Sequence, residues 1–192
     1  ADNENGKLGS RINQALALQS LGQYRRAKNL LEQINAQLQN QPDTLLKADS
    51  LRSLAFTLQT IGDLVKAKEI LEQSWDISDK LNSPADSSAT LFSLGNLAKI
   101  FQDDEAALIY YQEAAKLAVD DLTKVQALLN QLNLLIALEA ESEIQAIVPE
   151  IQAKLSNLPP SRDGVYARVN FAENLMKMQQ RLMSQPEMGQ LL

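Results

Sequence analysis

Apolar residues recur at intervals of three and four along most of the chain, which is the period of an amphipathic helix and not of a strand. The helical segments repeat. "LGQYRRAKNLLEQI" (21–34) aligns with "IGDLVKAKEILEQS" (61–74) at an offset of 40, matching Gly22 to Gly62, Ala27 to Ala67 and Leu31 to Leu71. A further 40 places Ala107 and Tyr111 under Ala67 and Leu71, and a further 40 reaches Ile147 in a weaker fourth copy. The segments that precede these repeat as well. "LAFTL" (54–58), "LGNLA" (94–98) and "LLIAL" (134–138) are spaced by 40, and "FAENL" (171–175) continues the series after 37. Each unit therefore reads as two helices joined by a tight turn.

Turn and cap residues place the boundaries. Gly22 and Gly62 stand where a first helix ends and a left-handed residue is favoured. Ser83-Pro84 supplies a cap and a proline at the first helical position, with Asp86 near the positive end of the dipole. Pro42-Asp43 and Asp120-Asp121 open helices in the same way, and Leu158-Pro159-Pro160-Ser161 closes one helix and restarts the chain. The predicted pairs are 8–20 with 23–40, 42–60 with 63–80, 84–101 with 103–118, and 121–139 with 142–157, followed by a lone helix at 161–179. As domains, residues 1–7 are expected to be a disordered or tag-like N-terminus. The array covers 8–179 in units of about 8–41, 42–81, 84–119 and 121–158 plus the lone first helix, and 180–192 is the start of a further helix. Pro149 is expected to kink the helix that contains it, by removing a hydrogen bond and crowding the carbonyl of Gln145.

These residues resemble tetratricopeptide repeats (TPR). "LFSLGNLAKIFQDDEAALIYYQEAAKLA" (91–118) is the segment most similar to that pattern, and "SLRSLAFTLQTIGDLVKAKEILEQS" (50–74) follows it. A strict repeat of this kind has about 34 residues, so the 40-residue spacing resembles its long-helix variants, which are common ahead of the CHAT protease domains of bacterial proteins. The resemblance implies an all-α, right-handed α-solenoid of stacked antiparallel helix pairs. It also implies a non-catalytic interaction scaffold, and because the sequence stops at "PEMGQLL" (186–192), within what would be a fifth pair, a fragment of a larger multidomain protein is expected.

Close helix crossings need small residues, which Ala27, Ala67 and Ala107 supply on second helices and Ala55 and Gly95 on first helices. Leu51, Leu54, Leu58, Leu71, Leu91, Leu94 and Tyr111 fill the space around them. One pair cannot bury its apolar face alone, and stacking creates the core. In such stacking the first helices line a concave face. By phase its inward positions are Ile12, Leu16, Arg52, Phe56, Gln59, Phe92, Asn96, Lys99, Leu132, Asn133, Ile136, Asn170 and Glu173. A mixture of apolar and amide groups suits an extended peptide or a helix, and Phe56 and Phe92 are the candidate anchors. In the chaperone-binding members of the family, Lys and Asn pairs clamp a carboxylate. Ile12, Asn13 and Leu16 occupy the matching positions here, so that partner class is not expected.

Composition narrows the chemistry. There are no His and no Cys, which removes imidazole catalysis, thiol nucleophiles, disulfides and His/Cys metal sites. No cofactor, metal or enzymatic activity is expected. Asp103-Asp104-Glu105 reads as dipole complementation rather than a cation site, and Trp75 as packing. Charge is uneven. Residues 1–100 balance at 11 basic and 11 acidic groups, whereas 101–150 carry 2 basic and 10 acidic, a net of −8. No Lys/Arg cluster suits phosphates, so no nucleic-acid partner is expected, and no apolar run spans a bilayer. The expected partner is another protein, or a C-terminal domain of the parent chain. Self-association through end helices, exposing Phe171, Leu175 and Met178, is the alternative. A soluble location, cytoplasmic or exported after removal of a signal peptide, fits these features.

Overall fold

The computed structural model describes residues 2–184. Helices account for nearly all of them, and no strand occurs among the described residues. The chain divides into two compact units, at Leu117 and Ala118. The first contains α1 (Asp2–Ser20), α2 (Tyr24–Leu38), α3 (Leu45–Ile61), α4 (Leu64–Lys80), α5 (Pro84–Ile100) and α6 (Asp104–Leu117). The second contains α7 (Asp121–Ala137), α8 (Glu141–Asn157) and α9 (Arg162–Ser184). The fold class is all-α, an α-solenoid of antiparallel helix pairs.

In the first unit α1 pairs with α2, α3 with α4 and α5 with α6, while α1, α3 and α5 also touch in succession. In the second, α7 pairs with α8, and α9 packs chiefly on α7 and only lightly on α8. The turn inside each pair is built in one way. Gly22, Gly62, Gln102 and Glu139 adopt left-handed φ values of 71°, 92°, 61° and 60°. At each, the amide of that residue and the next one donate back to carbonyls of the last helical turn, as Gly62 N to Gln59 O at 3.1 Å and Asp63 N to Leu58 O at 2.9 Å. This double closure satisfies carbonyls that a helix end leaves orphaned. The left-handed residues stand 40 apart from Gly22 to Gln102 and then 37 apart to Glu139. The missing turn is in α6, which has 14 residues where α4 and α8 have 17, and Leu132 rather than Leu135 takes the place of Gly95.

Other boundaries depart from those read in sequence. Helix α1 begins at Asp2, ahead of the start at residue 8 read from sequence. Helix α3 starts at Leu45 because Thr44, not Pro42-Asp43, is the cap, its hydroxyl accepting from the amide of Lys47. Asp120 caps α7 as expected, accepting from the Thr123 amide at 2.8 Å, and that bond holds its carboxyl below the usual range. Helix α8 runs through Pro149 to Asn157. Helix α9 continues to Ser184, so 180–184 belong to it, and the remainder of the expected further helix lies outside the described residues.

The core follows the small-and-large pattern. Ala27, Ala67, Ala107, Ala55, Leu31 and Leu71 are all buried. In the third pair a Cβ built on Gly95 would stand 2.6 Å from Cε1 of Tyr111, so the glycine is what admits the ring. Polar bonds tie helices together at one register in opposite senses. Ser74 of α4 donates to the carbonyl of Ala48 on α3 at 2.8 Å. One repeat later Ser88 of α5 donates to Ala114 on α6, also at 2.8 Å. Both hydroxyls are buried and satisfied, which burial of a polar group demands.

Candidate protein-binding face

The face proposed from sequence draws on first helices of both units, and each part is described within its own unit. In the first, register positions 16, 56 and 96 hold Leu16, Phe56 and Asn96 on α1, α3 and α5. Phe56 is 51% exposed and Leu16 is also exposed. Phe56 lies two residues beyond Leu54, roughly 200° around the helix, and Leu54 is buried. The chain thus leaves an aromatic ring in water on one side of α3 while the other side is packed.

Of the remaining predicted residues of this unit, all but Ile12 are half-buried. Phe92 lies 5.8 Å from the ring of Tyr111, tilted by 57°, so it belongs largely to the α5–α6 seam. Asn96 accepts the Tyr111 hydroxyl at 2.7 Å. Burial pushes the Tyr111 phenol up to about 12, in keeping with a neutral donor. Arg52 donates to Asp49 at 2.6 Å and sits 3.7 Å from Asp86 on α5, holding two first helices together. Lys99 pairs with Asp104 at 2.7 Å. Gln59 is half-buried. Ile12 is fully buried and is removed from the face.

In the second unit Asn133, Asn170 and Glu173 are exposed. Asn133 accepts from Lys177 at 2.9 Å, and Asn170 accepts from the buried Asn174 at 3.2 Å. Ile136 is only 7% exposed, and Leu132 is buried outright. Neither can contact a partner while α7 keeps its neighbours. Arg181 of α9 donates to the carbonyl of Ile136 and pairs with Glu139.

Two features escaped sequence reading. A cleft of about 610 Å³ opens between α2 and α4 above Leu51 and Leu54 of α3, its rim carrying Glu32, Lys66, Glu69 and Lys80. Glu32 and Lys66 face each other there at 3.3 Å. The second feature is Arg168 of α9, which donates to the carbonyls of Leu155 and Leu158 at 2.9 and 2.8 Å. It closes the C-terminus of α8, whose dipole favours a cation. Arg168 does not recur in the repeats, so periodicity carries no signal for it, and the match of Glu32 to Glu72 says nothing of the cleft.

Solved structures give the same repeat architecture. The nearly identical TPR-like repeats of a Podosopora anserina protein described as a kinesin light chain superpose with a TM-score of 0.73 at 18% identity, covering 93% of this chain and 90% of that one. BtubC (BKLC) from P. vanneervenii superposes with a TM-score of 0.74 at 19% identity, covering 94% of this chain and 79% of the other. The fold is TPR-like. No protein-family model and no curated protein matches the chain. Among the residues that the sequence singles out for the face, Leu16, Phe56, Asn133, Asn170 and Glu173 are exposed.

Proposed function

We propose that the chain is a non-catalytic scaffold that takes a peptide or helix from another protein, or from a C-terminal domain of its parent chain, on its first-helix face. The observation that carries this reading is the exposed Phe56 beside exposed Leu16 at the same register of neighbouring first helices. Aromatic side chains offer large contact area and dominate many interfaces. Arg52, Gln59, Asn96 and Lys99 flank the ring in unit one, with Phe92 as a lesser contact. Asn133, Asn170 and Glu173 serve the corresponding surface of unit two. A parent protein of the CHAT type would supply the partner in cis.

Pull-down with the full-length parent, repeated with Phe56→Ala, tests the proposal. Retention should fall at least about tenfold on losing a central aromatic anchor, and unchanged retention would refute it. Self-association through end helices has less support than its sequence basis suggested. Phe171 is buried at 8% exposure and Met178 is half-buried, leaving Leu175 as the exposed member of that set. Size-exclusion chromatography with light scattering at several concentrations separates the two readings.

A further inference from the structure

Helices α2 and α4 both pack on α3, and the cleft of about 610 Å³ lies between them. Its floor and both walls are described helices of the first unit, so it lies inside the array and not at an end. The repeat shows why it is open. Asn35 and Ile70 line it. At the matching positions 40 residues later stand Trp75 and Tyr110, both half-buried. The gap beside Tyr110, with Leu94 in the place of Leu54, holds only about 190 Å³. Two aromatic positions of one interval are thus an amide and an aliphatic chain in the other.

The lining states what would fill the space. Leu51, Leu54, Ile70 and Ile77 make it apolar at depth. The Nδ2 of Asn35 donates to the carbonyls of Leu31 and Ser50 at 2.9 and 3.4 Å, while its Oδ1 is buried and accepts from no donor. A buried acceptor without a donor costs free energy until one reaches it. Charge gives a third constraint. Lys66 and Lys47 are held by Glu32 and Asp43. Glu69 and Asp76, both exposed on α4, have no ion pair among the described residues, against one such ammonium in the lining, Lys80.

We infer that this cleft seats a linear segment of another protein in which a tryptophan is flanked by basic residues. The indole takes the apolar lining, and its N–H, a donor that never accepts, supplies what Asn35 Oδ1 lacks. The flanking cations meet Glu69 and Asp76. Seven residues separate these carboxylates, about 10 Å along a helix, which is the reach of three residues of extended chain. A volume of this size suits a short segment rather than one side chain. The single tryptophan of the chain, Trp75, is followed by Asp76, and residues 185–192 hold no Lys, Arg or aromatic residue. Neither a second copy nor those residues offers the required chemistry. Leu54 lines the cleft and Phe56 lies roughly 200° around α3 from it, so this seat and the first-helix face can fail independently.

The test is a fluorescein-labelled Gly-Arg-Trp-Arg-Gly amide, titrated with the whole chain and followed by anisotropy. Saturable binding is expected. It should weaken about tenfold or more when alanine replaces the tryptophan, and about two- to tenfold when phenylalanine does, since the N–H is lost. Glu69→Lys and Asp76→Lys should each weaken it about fivefold. Asn35→Trp, which puts the side chain of the next repeat into the cleft, should abolish it with circular dichroism unchanged. Glu69 and Asp76 are exposed, so their variants keep the fold even where Asn35→Trp does not. Phe56→Ala should leave binding as it was. Absence of saturable binding, equal binding of the tryptophan and alanine peptides, or binding indifferent to both carboxylate variants overturns the inference. Loss on Phe56→Ala also overturns it, because the peptide would then lie on the first-helix face. So does a full-length parent that refuses a peptide the chain binds, because a segment in cis would then own the cleft.

Discussion

At Gly95 two free-energy terms oppose each other. Replacing glycine by alanine inside a helix gains about 1 kcal/mol of propensity. The new methyl would stand 2.6 Å from Tyr111, and overpacking of this kind costs about 1–3 kcal/mol. The clash is with the body of a ring that is also held by Asn96, so it should win: Gly95→Ala should lower the urea midpoint. Adding Tyr111→Leu restores the alanine–leucine combination of Ala55 and Leu71 and should recover much of the loss, which a double-mutant cycle would show as coupling. The same scale separates groove from core on α3 and α5. Leu54→Ala removes a buried side chain and should cost about 2–5 kcal/mol, whereas Phe56→Ala at 51% exposure should cost on the order of 1 kcal/mol. Phe92→Ala, which strips a ring from Tyr111, should fall between them in the same denaturant titration. A ring packed 5.8 Å from Tyr111 has more to lose on truncation than the exposed Phe56.

At the scale of elements, the helix ends set much of the register. Gly22 and Gly62 occupy left-handed φ at little steric cost, but Gln102 and Glu139 hold the same conformation with a Cβ. A left-handed residue other than glycine costs roughly 1–2 kcal/mol, and glycine loses about 0.5–1 kcal/mol in chain entropy. Gln102→Gly should therefore stabilise the protein by about 0.5–1 kcal/mol, read as a higher thermal midpoint. Glu139→Gly should gain less, because it also loses the ion pair with Arg181. The cap of α7 adds a pH dependence. The amide of Thr123 favours the ionised form of Asp120 and lowers its pKa. Its contribution is present above the unfolded-state aspartate pKa of about 3.9 and is lost as pH falls through the lower folded value. Asp120→Asn keeps a good capping side chain but cannot protonate. Its stability relative to the parent should rise between pH 5 and pH 2, values bracketing about 3.9, in paired urea titrations. The opposite trend would mean that the carboxylate gains nothing from the cap.

For the whole molecule, far-ultraviolet circular dichroism should report more than two-thirds helix and no sheet component, in line with the helices of both units. The charge gradient belongs to this scale too. With a net of −8 over 101–150, a partner docking on that segment should be basic, and its affinity should fall as salt rises, since exposed charges are screened over about 8 Å at physiological ionic strength. Affinity independent of salt would assign those carboxylates to a solvated surface.

Helical periodicity, the recurring Ala27, Ala67 and Ala107, and the two turn glycines were legible because each answers to a local rule: one face to bury, one crossing to fit, one left-handed residue to accommodate. These fixed the helix pairs and the α-solenoid class before any contact was known. Packing between neighbours decided the rest. Gln102 and Glu139 take the left-handed turn without the residue that signals it, because backbone bonds to the preceding helix turn hold them there. Phe56 and Phe92, alike in type and close in phase, part company because only Phe92 has Tyr111 beside it. Phe171, expected to be exposed, is buried because α9 turns its aromatic side to α7. A single amphipathic pattern states that a helix has a face to bury, whereas the neighbour that receives it is a property of the packed chain.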